Sequence, residues 1–293
     1  MRVLNFGSLN IDHVYRVDHL ARAGETLTAD AYAMGCGGKG LNQSVALAMA
    51  GAEVYHAGLV GRGGEFLRRR MEDSGVDCRY LRAAEIPNGH AVIQVDRAGE
   101  NSIVLFPGSN RALTEKDVDG VMIHFRRGDM LLVQNETNLV EHMIRRAASL
   151  GMDVALNAAP MDETAKILPL ELVRYLLINE TEGAGLTGKT DPQEIASELC
   201  SRYPALELVL TLGSDGCLYQ KGDSSLFIPA RRVEAVDTTG AGDTFIGYFL
   251  AAIADGADPG YSLTLATAAA ALAVTRPGAA DSVPSLEEVL KTL

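Results

Sequence analysis

Tryptophan is absent from the chain, and aromatic residues make up only 5% of its 293 positions. A slot that stacks a flat nucleobase between rings has little to be built from. Long basic runs are missing too, and the formal net charge is −12. That balance argues against a nucleic-acid partner. Cysteine is scarce: Cys36, Cys78, Cys200 and Cys217 form neither a C-x-x-C pair nor a zinc spacing. They read as reduced thiols of a cytoplasmic protein. The six histidines are scattered, with no metal-binding pair among them. No apolar run is long enough to cross a bilayer, and the alanine-rich segment 261–274 is too short. The first residues enter a strand directly and read as neither signal nor transit peptide. No internal repeat or low-complexity tract is visible.

What is present is an ordinary globular composition, 47% hydrophobic and 22% charged. A chain of this length buries one large core or two smaller ones. Its most informative stretch is Asp237–Phe245, D-T-T-G-A-G-D-T-F. The apolar residues after it (Phe245, Ile246, Phe249, Leu250, Ile253) have helical spacing, so the glycines sit where a helix begins. The first N–H groups of a helix lack internal partners, and the helix dipole is positive there. Small residues let an anion approach that backbone. Asp243 then lies at the rim of an anion pocket. One reading makes it a favourable first-turn acid beside a simple turn. The other makes it the acceptor of a proton from a hydroxyl that attacks a phosphoryl group. The motif alone does not separate them.

A second glycine-rich stretch, Gly35-Cys36-Gly37-Gly38-Lys39-Gly40-Leu41-Asn42-Gln43, precedes an alanine-rich helix expected over Ser44–Ala50. It contains G-x-G-x-x-G, which raises a dinucleotide-binding alternative. The next strand, Val54–Val60, ends without an acid for a ribose, so that reading is weak. A Walker A loop is excluded because Gly40 follows Lys39.

Val3–Phe6 reads as a buried strand, with Asn10 and Asp12 just beyond its end. Two apart on an extended chain, they face one side and suit sugar hydroxyls, or else they make an Asx-type turn. Strands are expected at Val14–Val17, Thr26–Met34, Ala91–Val95 and Ser102–Leu105. Together these form a small sheet, a lid built from about 11–34 and 88–107. Glu65–Ser74 reads as an amphipathic helix, with Arg68, Arg69 and Arg70 on a solvated face. From Thr114 onward strands and helices alternate, which calls for a parallel sheet with helices on both sides and ligands beyond the strands' carboxyl ends. Glu136, Asn179, Glu182, Thr211, Gly213 and the Asp243 loop all fall at such ends.

The two motifs, G-G-K-G-L-N-Q and D-T-T-G-A-G-D-T-F, resemble those of the ribokinase-like (PfkB) carbohydrate kinases, over nearly the whole chain. The resemblance implies an α/β fold, a doubly wound and mostly parallel sheet flanked by helices, with a small β-sheet lid on a single domain spanning 1–293. It implies an ATP-dependent kinase acting on a primary hydroxyl, best D-ribose, with another pentose, deoxyribose or a nucleoside as the alternative. Asp243 would be the base, and Gly240, Ala241 and Gly242 the anion hole. Asn10, Asp12, Gly38, Lys39, Asn42 and Glu136 would bind the sugar. Asn179, Thr211, Gly213 and Thr267 would lie by the nucleotide, and Glu182 would serve magnesium through water. Asp237, Thr239, Ala273, Arg276, Gly278 and Ser282 would hold potassium, mostly through carbonyl oxygens. A homodimer through the lid is expected, because an open apolar sheet is a liability for a monomer.

Overall fold

The computed structural model describes all residues from Met1 to Leu293. The chain opens with β1 (Val3–Phe6), β2 (Asn10–Arg16), β3 (Ala31–Gly37) and helix α1 (Lys39–Met49). There follow β4 (Val54–Arg62), α2 (Glu65–Asp73), β5 (Asp77–Pro87), β6 (Gly89–Val95) and β7 (Asn101–Phe106). Alternation then sets in: α3 (Glu115–Met122), β8 (Met130–Gln134), α4 (Val140–Ser149), β9 (Asp153–Asn157), α5 (Glu163–Lys166) and β10 (Tyr175–Asn179). Helices α6 (Glu180–Thr187) and α7 (Pro192–Arg202) precede β11 (Glu207–Thr211) and a hairpin of β12 (Gly216–Lys221) and β13 (Ser224–Pro229). Helices α8 (Ala241–Ala254), α9 (Pro259–Ala273) and α10 (Leu286–Leu290) complete the chain.

Nine strands form one sheet in the order β13-β12-β11-β10-β9-β8-β1-β4-β5. All neighbours from β5 to β11 run parallel, and β12 and β13 turn antiparallel at the edge. Its central strands are largely apolar on both sides because both faces are covered. Val3 and Leu4 show the alternation: the first joins a core of 39 buried residues and the second a core of 31 on the opposite face. Helices α1, α8 and α9 pack on the first face, α3, α4 and α7 on the second. Helix α8 is buried from Asp243 to Ala254. A helix apolar on all sides is an interior helix, and this one lies between α1 and α9. The α/β architecture expected from the alternation is the one observed.

The smaller sheet has the order β3-β2-β6-β7, with β2 and β6 parallel and both outer pairs antiparallel. Here several expectations are corrected. Asn10 and Asp12 do not trail β1; they begin β2. The partner strand begins at Ala31, not Thr26, and runs into the glycines, pairing Asn10 with Gly37. Residues 26–30 lie outside any strand. The glycines can be strand because their lack of a side chain makes room: a Cβ on Gly37 would sit 2.1 Å from an Asp12 carboxylate oxygen.

Helix α1 starts at Lys39, five residues ahead of the expected Ser44. Its first-turn donors are satisfied by distant groups. Lys39 N–H donates to Glu136 Oε2 at 3.0 Å, Gly40 N–H to Ser8 Oγ at 3.2 Å, and Leu41 N–H to the Ser8 carbonyl at 2.9 Å. Arg70 is not simply solvated: it donates to the Ala280 carbonyl at 2.7 Å and to Asp281 at 2.8 Å. Strands β5, β12 and β13 were not anticipated.

Candidate active site

Asp243 occupies the first turn of α8 and is 8% exposed. Both carboxylate oxygens are engaged. Asn42 Nδ2 donates to Oδ2 at 2.9 Å and Gln43 Nε2 to Oδ1 at 2.8 Å. Helix α1 reaches α8 because the two backbones touch: a Cβ on Gly247 would lie 2.3 Å from the Ala46 Cβ. That approach carries the short amide side chains one turn earlier on α1 to the carboxylate. Gly240 precedes α8 with φ 73, in the left-handed region, and no side chain caps the helix. Ala241 N–H is taken by the Thr238 carbonyl at 3.3 Å, so of the expected anion-hole trio only Gly240 and Gly242 line the cavity over this turn.

A cavity of about 140 Å³ opens over this turn, lined by Lys39, Asn179, Glu182, Thr211, Gly240, Gly242 and Asp243 among others. These residues come from α1, β10, α6, β11 and the start of α8, and all of them lie at strand ends or helix starts. The Lys39 ammonium is held above the ordinary lysine range, first by the charge of Asp243 and then, against burial, by Glu136 and Glu182. Glu182 is pushed upward by its burial. Asn179 and Glu182 form a capping box on α6: Glu182 N–H donates to Asn179 Oδ1 at 2.9 Å and Asn179 N–H to Glu182 Oε2 at 3.0 Å.

The polar residues of β2 and the β8 loop form a second group. Asn10 is 4% exposed, and its Oδ1 accepts from Asn110 Nδ2 at 2.8 Å, which leaves its own Nδ2 as the available donor. Glu136 accepts from the Ser8 hydroxyl and from Lys39 N–H. The Asp12 carboxyl is pushed up to about 7, by burial first and by the Glu136 charge second. Gly38 caps α1 from the left-handed region, with φ 91. The group is a set of acceptors and one amide donor.

Of the remaining expected residues Thr211 lines the cavity, while Gly213, Thr267 and the loop residues lie outside it. Thr211 Oγ1 donates to the Ile178 carbonyl at 3.4 Å, and Gly213 opens an exposed turn. Thr267 lies outside the cavity, its hydroxyl 3.8 Å from Cys217 Sγ. Asp237 ties two loops together: its Oδ1 accepts from Thr239 N–H at 2.9 Å and its Oδ2 from Gly278 N–H at 2.9 Å. The Ala273 carbonyl accepts from Arg276 N–H, Ser282 Oγ donates to the Ala279 carbonyl, and the Arg276 guanidinium pairs with Glu288. Ala279 reaches the site, because a Cβ on Gly240 would meet it at 2.9 Å. Ser8, Gln43, Asn110 and Asn157 were missed as site residues. Gln43 stood in the quoted motif, but a reading that starts the helix at Ser44 leaves it without a direction.

A family model described as pfkB family carbohydrate kinase matches residues 2–286. The chain belongs to this family. It is a carbohydrate kinase, a phosphotransferase that uses ATP. It is 36% identical to the ribokinase of Haemophilus influenzae, over 98% of this chain and 96% of the relative. It is 31% identical to a deoxyribokinase of Salmonella typhi, over 98% and 97%. The structure of Arabidopsis thaliana ribokinase complexed with ribose and ATP is similar, with a TM-score of 0.87 at 30% identity, covering 99% of this chain and 97% of that one. In this PfkB kinase no helix is long and apolar enough to cross a membrane.

Proposed function

We propose that this kinase transfers the γ-phosphoryl group of ATP to the primary hydroxyl of a free pentose, best D-ribose, giving ribose 5-phosphate and ADP. The observation that carries the reading is Asp243, a buried carboxylate in the first turn of an uncapped helix, in one cavity with Lys39, Asn179 and Glu182. The sugar hydroxyl loses its proton to Asp243 as its oxygen bonds to the γ-phosphorus. The bond from that phosphorus to the β–γ bridging oxygen breaks, and ADP leaves. The N–H groups of Gly240 and Gly242 face the negative charge on the transferring group, where pre-aligned dipoles act most strongly, while Ala241 N–H already donates to the Thr238 carbonyl.

Asn10, Asp12 and Glu136 take the remaining sugar hydroxyls, with Gly38, Lys39 and Asn42 beside them. The absence of tryptophan and the low aromatic content favour a free sugar over a nucleoside. The deoxyribokinase relatives support 2-deoxyribose as the second reading. A group that hydrogen-bonds the 2-hydroxyl would be left unpaired by that sugar, at a cost in affinity; Asp12 is the candidate.

Magnesium suits Glu182 through bound water, because one buried carboxylate beside a lysine is too small a donor set for direct coordination. When bound, magnesium neutralises phosphate oxygens. Potassium suits the loops that Asp237 joins, with Thr239, Ala273, Arg276, Gly278 and Ser282 supplying oxygens. The small sheet, about 11–34 and 88–107, is the lid of a single domain, and its closure would keep water from competing as acceptor. Two lids pair in a homodimer, and the four free thiols fit a cytoplasmic enzyme.

The test is ADP release from ATP and magnesium with ribose, 2-deoxyribose, fructose, adenosine and pseudouridine, with and without potassium. Ribose is expected to turn over fastest, and faster with potassium. Asp243→Asn should abolish turnover while leaving nucleotide binding intact. Turnover with nucleosides alone would overturn the sugar assignment, and an active Asp243→Asn variant would overturn the base.

A further inference from the structure

Beneath the catalytic turn runs a chain of buried amides. Asn5, Gln43 and Gln134 are each 0% exposed, and Asn157 is 5% exposed. Asn5 Nδ2 donates to the Gly40 carbonyl and to Ser44 Oγ, both at 2.8 Å. Its Oδ1 must then accept, and Gln134 Nε2 donates to it at 3.0 Å. Gln134 Nε2 also donates to Gln43 Oε1 at 2.7 Å. That leaves Gln43 Nε2 as donor, to Asn157 Oδ1 at 3.1 Å and to Asp243 Oδ1 at 2.8 Å. Each amide's orientation is dictated by its neighbour, and the chain ends on the carboxylate. Gln134 and Asn157 are register partners on adjacent strands, so the sheet itself sets their spacing. Buried amides are costlier than apolar side chains of the same shape unless every bond is made. Their place under one carboxylate gives them a task.

Resting on the assignment of Asp243 as the base, we infer that Gln43 is a positioning residue for it. Gln43 donates to Oδ1 while Asn42 holds Oδ2, so the carboxylate plane cannot rotate. An amide has no proton to gain or lose near neutral pH, so it holds the carboxylate without competing for the substrate proton. Gln134 and Asn5 keep the Gln43 amide from turning over, which would put its oxygen against the carboxylate.

The experiment is the pH dependence of kcat. In Gln43→Glu a carboxylate would face Asp243 and Asn157, and the pair must share a proton. The acid limb of kcat should move up by about one pH unit or more. Gln43→Met, apolar and similar in length, removes the donor without adding charge. It should lower kcat by about tenfold or more and shift the same limb upward, with KM for both substrates changed far less. Ser44→Ala cuts the chain at its far end and should lower the melting temperature while leaving the limb in place. An unchanged limb in a folded Gln43→Met protein overturns the inference even if Asp243→Asn is inactive. An active Asp243→Asn variant removes the base assignment, and this inference with it.

Discussion

Asp12 carries a carboxyl pushed up to about 7 by burial and by Glu136. A raised carboxyl is neutral below that pH and charged above it. A sugar hydroxyl donates best to the charged form. KM for the sugar should therefore fall as pH rises through about 7, while KM for ATP moves less. Glu136→Gln takes away the neighbouring charge, so the inflection should move to lower pH. Initial-rate titrations of each substrate across this range check it, and a sugar KM flat through neutrality would remove Asp12 from the binding set. Asp12 and Glu136 were both nameable from their positions near strand ends. Their mutual influence was not, because more than a hundred residues of chain separate them and only folding brings them together.

At the scale of elements, the contact that matters is α1 against α8. Gly247 sits on α8 where its Cβ would meet the Ala46 Cβ at 2.3 Å and the Leu47 nitrogen at 2.8 Å. Alanine is the better helix former by about 1 kcal/mol. Against backbone atoms that cannot yield, overpacking costs about 1–3 kcal/mol. The steric term wins, so Gly247→Ala should destabilise the protein. By separating α1 from α8 it should also lengthen the bonds from Asn42 and Gln43 to Asp243 and lower kcat. A thermal melt with a kcat measurement checks both, and an unchanged pair of values would mean that the α1–α8 contact does not hold Asn42 and Gln43 on Asp243. The existence of α8 was legible from its apolar spacing after the glycines. The true start of α1 was not, because the groups that satisfy its first turn, Ser8 and Glu136, lie in distant loops after β1 and β8.

At the scale of the molecule, the small sheet leaves apolar surface uncovered. Every residue of β7 is exposed, including Ile103 at 55%, Val104 at 68% and Phe106 at 45%, and Met34 on β3 is 55% exposed. An uncovered apolar sheet of this kind marks an association face. Sedimentation should give about twice the 31.2 kDa of one chain. Val104→Glu should yield monomers with intact secondary structure, and a monomeric wild type at micromolar concentration would refute the dimer.

The sequence by itself determined the alternating α/β architecture, the strand-end position of most candidate site residues, and the glycine turn before α8. These are local signals: apolar period, glycine at a helix start, polar residues after buried strands. Only the tertiary structure decided that Asn10 and Asp12 open a strand of the second sheet, and that Arg70 anchors the loop after α9. Only it directed Gln43 at Asp243. Such facts depend on which distant backbone donors and acceptors meet. A hydrogen bond between residues 200 apart in the chain leaves no periodicity in the sequence to read.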